Sequence, residues 1–170
     1  MKTQEYDIQI KPHAIIVDID NTLYNINHRL PYILNDDPPN WKKFNNEIME
    51  DTLNDWCFEL IQSMKKKYEI LLITGRPKEE TIRFTQQRLL KDKVPYSVIY
   101  YRESDDKRES SLVKQEIYIN HIQLQYHVLF AIDDNPNNCR MYHNLGIPTL
   151  FVFNDLYDKF GEIQKETGGH

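Results

Sequence analysis

Three short apolar runs punctuate the chain, and each ends on a polar residue. Ala14-Ile15-Ile16-Val17 leads into Asp18, Ile70-Leu71-Leu72-Ile73 into Thr74, and Val128-Leu129-Phe130-Ala131-Ile132 into Asp133. Unbroken β-rich runs of this length suit strands covered on both faces, as in a parallel sheet. Ser97 to Tyr101 and Thr149 to Phe153 are predicted as two further strands. Between the strands the apolar period lengthens. Leu53, Trp56, Cys57, Leu60, Ile61 and Met64 form one stripe at helical spacing, which makes Cys57 a small core residue. Pro77 opens a predicted helix that runs to about Lys91, and another runs from about Ser110 to Ile122. Asn135-Pro136 reads as the N-cap and first residue of a helix that stops at Gly146. The alternation predicts an α/β fold: three Rossmann-like α/β/α layers around a mainly parallel five-stranded sheet, in a single domain over residues 1–170.

One stretch breaks the alternation. Residues 23–45 are rich in Asn and Pro, including Asp37-Pro38-Pro39-Asn40, and are expected to form a long loop with a short helix around Leu30 to Leu34. Following the first strand directly, this insert is expected to lie over whatever that strand presents. Residues 161–170 are expected to be a disordered tail.

Composition narrows the class. The formal net charge of −5 offers no general attraction to nucleic acid, though a local basic patch stays open. No apolar run approaches the roughly 18 residues of a membrane span, and Met1 to Lys11 lacks the apolar stretch of a signal peptide. Cys57 and Cys139 are too few for a disulfide scaffold, and no Cys/His group has zinc-ligand spacing. A cytoplasmic location is the expectation.

The chemistry sits at the strand ends, where open α/β sheets bind ligands. Asp18, Asp20, Thr74, Asp133 and Asp134 converge there, and four carboxylates at one spot repel unless a cation lies among them. All-oxygen ligands favour a hard ion such as Mg²⁺. Lys114, expected just inside a helix start, adds the positive charge that a phosphate needs; Lys107 and Arg108 compete for that role. A hydroxyl, a lysine and carboxylates around a hard cation suit phosphoryl transfer. Thr22 is expected to be structural, its hydroxyl bonding nearby backbone.

Asp18-Ile19-Asp20-Asn21-Thr22, Ile73-Thr74-Gly75-Arg76, Lys114 and Ile132-Asp133-Asp134 resemble, in order, the four motifs of the haloacid dehalogenase (HAD) superfamily. Within it, Asn27-His28-Arg29-Leu30-Pro31-Tyr32, Thr74-Gly75-Arg76-Pro77, Arg102-Glu103 and Arg108 through Val113-Lys114-Gln115-Glu116-Ile117 are similar to the 3′-phosphatase domain of phage polynucleotide kinase/phosphatase. The similarity runs from about Ala14 to Val152, includes the 19-residue interval from Lys114 to Asp133, and comes without a P-loop.

The resemblance implies a Mg²⁺-dependent phosphatase with little or no cap, removing a 3′-phosphate from a DNA or RNA end, with a separate kinase or ligase as repair companion. It implies Asp18 as the nucleophile that forms a phosphoaspartate, Asp20 as general acid and base, Thr74 as donor to a phosphoryl oxygen, and Lys114 as charge balance. Asp18, the main-chain carbonyl of Asp20, Asp133 and Asp134 would hold the metal, while Arg29, Arg76 and Asn21 would meet the substrate. Asn21 stands where the family often has Gly, a substitution Asn can make because it tolerates unusual backbone angles. Asn135 stands where the closer relatives carry an arginine. The alternative within this chemistry is a small phosphomonoester such as a nucleotide. A receiver-type signalling domain fits less well, because its acidic pair would precede its lysine-bearing strand, and a dead binding module less again, because no reacting group is missing.

Overall fold

The computed structural model describes residues 11–154, so the expected tail and the N-terminal segment up to Ile10 lie outside the described residues. In chain order the elements are β1 (His13–Val17), β2 (Tyr24–Asn25), α1 (Pro31–Leu34), α2 (Trp41–Asn46), a 3-10 turn (Glu47–Glu50), β3 (Thr52–Leu53), α3 (Asp55–Met64), β4 (Glu69–Pro77), α4 (Lys78–Lys91), β5 (Val98–Arg102), α5 (Ser110–Ile117), a π turn (Tyr118–Ile122), β6 (His127–Asp133), α6 (Pro136–Asn144) and β7 (Thr149–Phe151).

The five expected strands form one parallel sheet in the order β5-β4-β1-β6-β7. β1 is central because it is apolar on both faces. Its odd residues Ile15 and Val17 pack with Cys57, Ile61 and Leu89 of α3 and α4. Its even residues Ala14 and Ile16 pack with Val113, Ile117, Met141 and Tyr142 of α5 and α6. Two buried layers on opposite faces of one sheet make the three-layer α/β/α sandwich that the alternation predicts. The chain builds β4 and β5 on one side of β1, then crosses to build β6 and β7 on the other. The strand order therefore reverses between β1 and β6, where such folds place their ligands.

Several local expectations need correction. Trp56 is 48% exposed, because α3 presents only Cys57 and Ile61 fully to the core. Cys139, which as a residue of the helix after Pro136 is expected in the core, is half-buried, its thiol directed at the Asp133 carbonyl. The helix expected from Ser110 to Ile122 is α-helical only to Ile117 and widens into the π turn. Residues 23–45 contain more structure than a loop with one short helix. β2 pairs antiparallel with β3, and α2 follows α1 with the Asn40 side chain accepting from Lys43 N at its start. Thr22 is fully buried, yet its hydroxyl has no hydrogen-bond partner among the described residues. Among those residues no helix is long and apolar enough to cross a membrane.

Candidate active site

The C-terminal ends of β1, β4 and β6 carry the polar residues that interrupt each apolar run. Asp18 follows β1, where its backbone N–H still donates to Ile132 of β6 at 3.0 Å. Asn21 has φ of 59°, the left-handed conformation expected of it, and donates its N–H to Tyr24 at 2.7 Å. This closes the turn that lifts Asp20 above the sheet. On β4 the pairing with β5 shifts between Thr74 and Pro77, so Gly75 and Arg76 bulge out of the ladder. Thr74 Oγ1 accepts from Arg76 N at 3.1 Å and so fixes the bulge.

Lys114 is the centre of the acidic cluster. It lies on the second turn of α5, further in than a helix start, and is 1% exposed. Its Nζ donates to Asp18 and, at 2.7 Å, to Asp133. Lys107 and Arg108 take no part: Lys107 donates to the Ser104 carbonyl, and Arg108 pairs with Asp106 and Glu116. Asp133 also accepts from Asn138 Nδ2 at 2.9 and 3.1 Å and from Asn135 N at 2.9 Å. Asn135 itself caps α6, its side chain accepting from Asn137 N at 2.8 Å.

Oxygens of Asp18, Asp133 and Asp134 all lie within 4.8 Å of one another. Burial drives the Asp18 carboxyl well above its usual range, against the pull of Lys114 and with a further push from Asp133 and Asp134. Burial and Asp133 together push Asp134 up to about 7. For Lys114, burial alone would favour the neutral amine, but Asp133 and Asp18 more than reverse this and hold it charged. Three buried carboxylates facing one ammonium leave room, in charge and in ligand type, for a hard divalent cation. The Asp20 carboxylate is directed elsewhere, so its side chain is not part of this triad.

Asp20 instead belongs to a second cluster. Arg76 donates to it through Nε at 3.1 and 3.0 Å and through Nη2 at 2.7 Å, and Arg29 donates through Nη2. Burial would raise the Asp20 carboxyl, but the Arg76 and Arg29 guanidiniums hold it well below the usual carboxylate range. The same two arginines meet Asp51: Arg29 Nε at 2.7 Å, Arg29 Nη2 at 3.1 Å and Arg76 Nη2 at 2.7 Å. Arg76 also donates to Thr85 at 3.0 Å. Arg76 lines the pocket, but Arg29 is fully buried behind Asp20, capped by the Phe44 ring 4.1 Å from its guanidinium carbon. Arg29 Nη1 is left without a partner among the described residues.

The pocket above these clusters has a volume of about 260 Å³ and is walled by Asp18, Asp20, Asn21, Arg76, Lys114 and Asp134 among others. The structure thus gathers every residue expected at the site around one cavity, with Thr74, Arg29 and Asp133 just beneath its lining. Sequence reading missed Asp51 and Asn138. Asp51 belongs to no motif and reaches the site because Thr52 pairs with Asn25 across β2 and β3. Asn138 was legible only as one residue of a helix start, although it lies one turn beyond Asp134, facing back toward β6.

A parallel sheet with an acidic pair after β1, a hydroxyl after β4, a buried lysine and a second acidic pair after β6 defines a HAD-type phosphoric monoester hydrolase. The family model of the polynucleotide kinase PNKP phosphatase domain matches residues 12–157, and the chain belongs to that family. A chain of the solved Pnkp1/Rnl/Hen1 RNA repair complex is similar to it with a TM-score of 0.72 and 28% identity, over 85% of this chain and 44% of that one. A protein of Autographa californica nuclear polyhedrosis virus named as a bifunctional polynucleotide kinase/RNA ligase is 25% identical over 144 residues, 82% of this chain and 19% of its own length. The HAD-hydrolase YfnB of Bacillus subtilis, solved with magnesium, shares the fold with a TM-score of 0.59 and 12% identity, over 84% of this chain and 87% of its own. The chain spans less than half the length of the first two relatives.

Proposed function

We propose that this chain is a Mg²⁺-dependent phosphatase that removes a 3′-phosphate from a nucleic-acid end through a phosphoaspartate on Asp18. The observation that carries the reading is the ion-paired centre of Asp18, Lys114 and Asp133 on the floor of an open pocket, in a chain of this family. Asp18, Asp133 and Asp134, with the main-chain carbonyl of Asp20, would hold the cation, which when bound neutralises charge on the transferring phosphoryl group.

The protein's own groups account for the remaining chemistry. Lys114 keeps the Asp18 oxygen aimed and offsets the negative charge as a phosphate enters. Asp18 then attacks phosphorus: its oxygen gains a bond to phosphorus as the bond to the 3′ oxygen breaks. The leaving oxygen takes a proton from Asp20. In the second half Asp20 removes a proton from water, which displaces phosphate and restores Asp18. As it stands, clamped by Arg76 and Arg29, Asp20 is set for the base half. Donation requires the clamp to loosen, and Arg76 at the pocket wall is the guanidinium a substrate phosphate can draw away. Thr74 and Asn21 would contact the phosphoryl group and substrate. A kinase or ligase acting on the same ends is the companion suggested by the relatives' names.

The test is phosphate release with Mg²⁺ from matched oligonucleotides carrying a 3′- or a 5′-phosphate. Preference for the 3′-phosphate, abolished by Asp18→Asn, is expected. Equal release from both ends, or turnover confined to mononucleotides, would overturn the assignment of substrate.

A further inference from the structure

A second cavity of about 400 Å³ opens beside the catalytic pocket, and Trp41, Asn45, Gly75, Pro77 and Arg102 wall both. The two are one trough leading away from Asp18. The outer part holds Arg102, Lys107 and Arg108 against Glu80 and Asp106, a positive balance within a chain of net charge −5. Its two carboxylates are already engaged: Glu80 accepts from Ser104 at 2.6 Å, and Asp106 pairs with Arg108 at 2.7 Å.

Three residues at the seam are built for a ligand. Trp41 is 57% exposed, an unfavourable place for a large apolar ring, yet it is braced edge-on by Phe44 at 5.6 Å. Phe44 in turn lies over Arg29, so the ring is tied to the arginine pair that clamps Asp20. Asn45 is nine-tenths buried and makes no side-chain hydrogen bond to any described residue. It lines both cavities. Arg102 is anchored by three main-chain carbonyls, through Nε to Gly75 at 3.0 Å and through Nη1 to Asp106 at 3.1 Å and Arg108 at 2.6 Å. Its Nη2 has no partner among the described residues and lies beside Gly75, where a Cβ would sit only 3.9 Å away.

A flat aromatic face, an amide that no described side chain or backbone group engages and a fixed guanidinium with a free N–H match a base, its sugar or base edge, and a phosphodiester. We propose that this trough binds the nucleotide immediately 5′ of the one bearing the 3′-phosphate: Trp41 stacks on its base, Asn45 bonds its polar edge, and Arg102 takes the internal phosphodiester. The inference rests on the 3′-phosphatase reading and adds to it a reason for preferring a polymer end to a mononucleotide.

The test is a length series of 3′-phosphorylated mono-, di- and trinucleotides. It is read as kcat/KM with the full chain and as Kd with the Asp18→Asn protein. Going from one nucleotide to two should tighten binding by about 10-fold, the range expected of one stacked base. Trp41→Ala should remove most of that step, Trp41→Phe should keep most of it, and Asn45→Ala should reduce it. A step of the same size in Trp41→Ala would overturn the proposal, as would no step in the unmodified protein while the mononucleotide is still turned over. Failure to release phosphate from any 3′-phosphate would instead overturn the reading of function beneath it.

Discussion

Asp51 offers the sharpest test of how the site is held together. It is 1% exposed and accepts three hydrogen bonds, two from Arg29 and one from Arg76, at 2.7 to 3.1 Å. Replacing it by Asn keeps the shape but leaves two buried guanidiniums sharing Asp20 as their one carboxylate partner among the described residues. Breaking a buried ion pair from one side costs about 3–5 kcal/mol, because the other charge stays buried without compensation. Asn retains one acceptor oxygen, so we place Asp51→Asn near the lower end, about 3 kcal/mol. For a domain of this size that corresponds to a fall in Tm of roughly 6–12 °C. Released from Asp51, the guanidiniums also close more tightly on Asp20, so kcat should fall by about 10-fold, or roughly 1.4 kcal/mol of barrier. Thermal unfolding and phosphate release on the same protein read both numbers. A Tm within 2 °C of the unsubstituted chain, by the scale used above, together with unchanged kcat, would refute the idea that Asp51 anchors the arginines.

Other expectations follow from the same geometry. Lys114→Met leaves Asp18, Asp133 and Asp134 facing one another without a cation from the protein, and steady-state release should drop by about 100-fold or more. Asp134, raised to about 7, opposes folding increasingly as pH rises from its unfolded value near 4 toward 7, because the ionised form is the disfavoured one. A divalent cation relieves that repulsion, so Mg²⁺ should raise Tm more at pH 8 than at pH 5.5, and equal shifts would contradict it. Asp20 has the opposite sign: its folded pKa is depressed, so its contribution is present above about pH 4 and lost as pH falls through the folded value. Acid unfolding of Asp20→Asn should therefore be less steep in that window than that of the unsubstituted chain.

The sheet was legible because each central strand is apolar on both faces and stops at a polar residue, and Ile70 to Thr74 illustrates this well. The helices on either side followed from Pro77, from Asn135-Pro136 and from the stripe through Cys57 and Ile61. The acidic centre was legible for a related reason, since its members sit where apolar runs end. Residues 23–45 were harder to read: α2 has only six residues, with no long apolar period, and is held by Phe44 and by the cap from Asn40. Asp51 was hidden because its role depends on the β2–β3 pairing, which two-residue strands do not announce. The resemblance implies a substrate contact for Arg29, and the structure buries it behind Asp20, a placement that depends on the fold of the insert and not on the residue type. Trp56 followed helical spacing yet lies at the margin of the stripe, where spacing alone cannot separate buried from exposed.

Whether Asp18 carries the phosphoryl group is read by rapid acid quenching of a turnover with a radiolabelled 3′-phosphate oligonucleotide. Label should be bound covalently to the peptide containing Asp18, rising before free phosphate appears, decaying as free phosphate accumulates, and absent from Asp18→Asn. Phosphate released at full rate with no label on the protein at any time, or release persisting in Asp18→Asn, would contradict it.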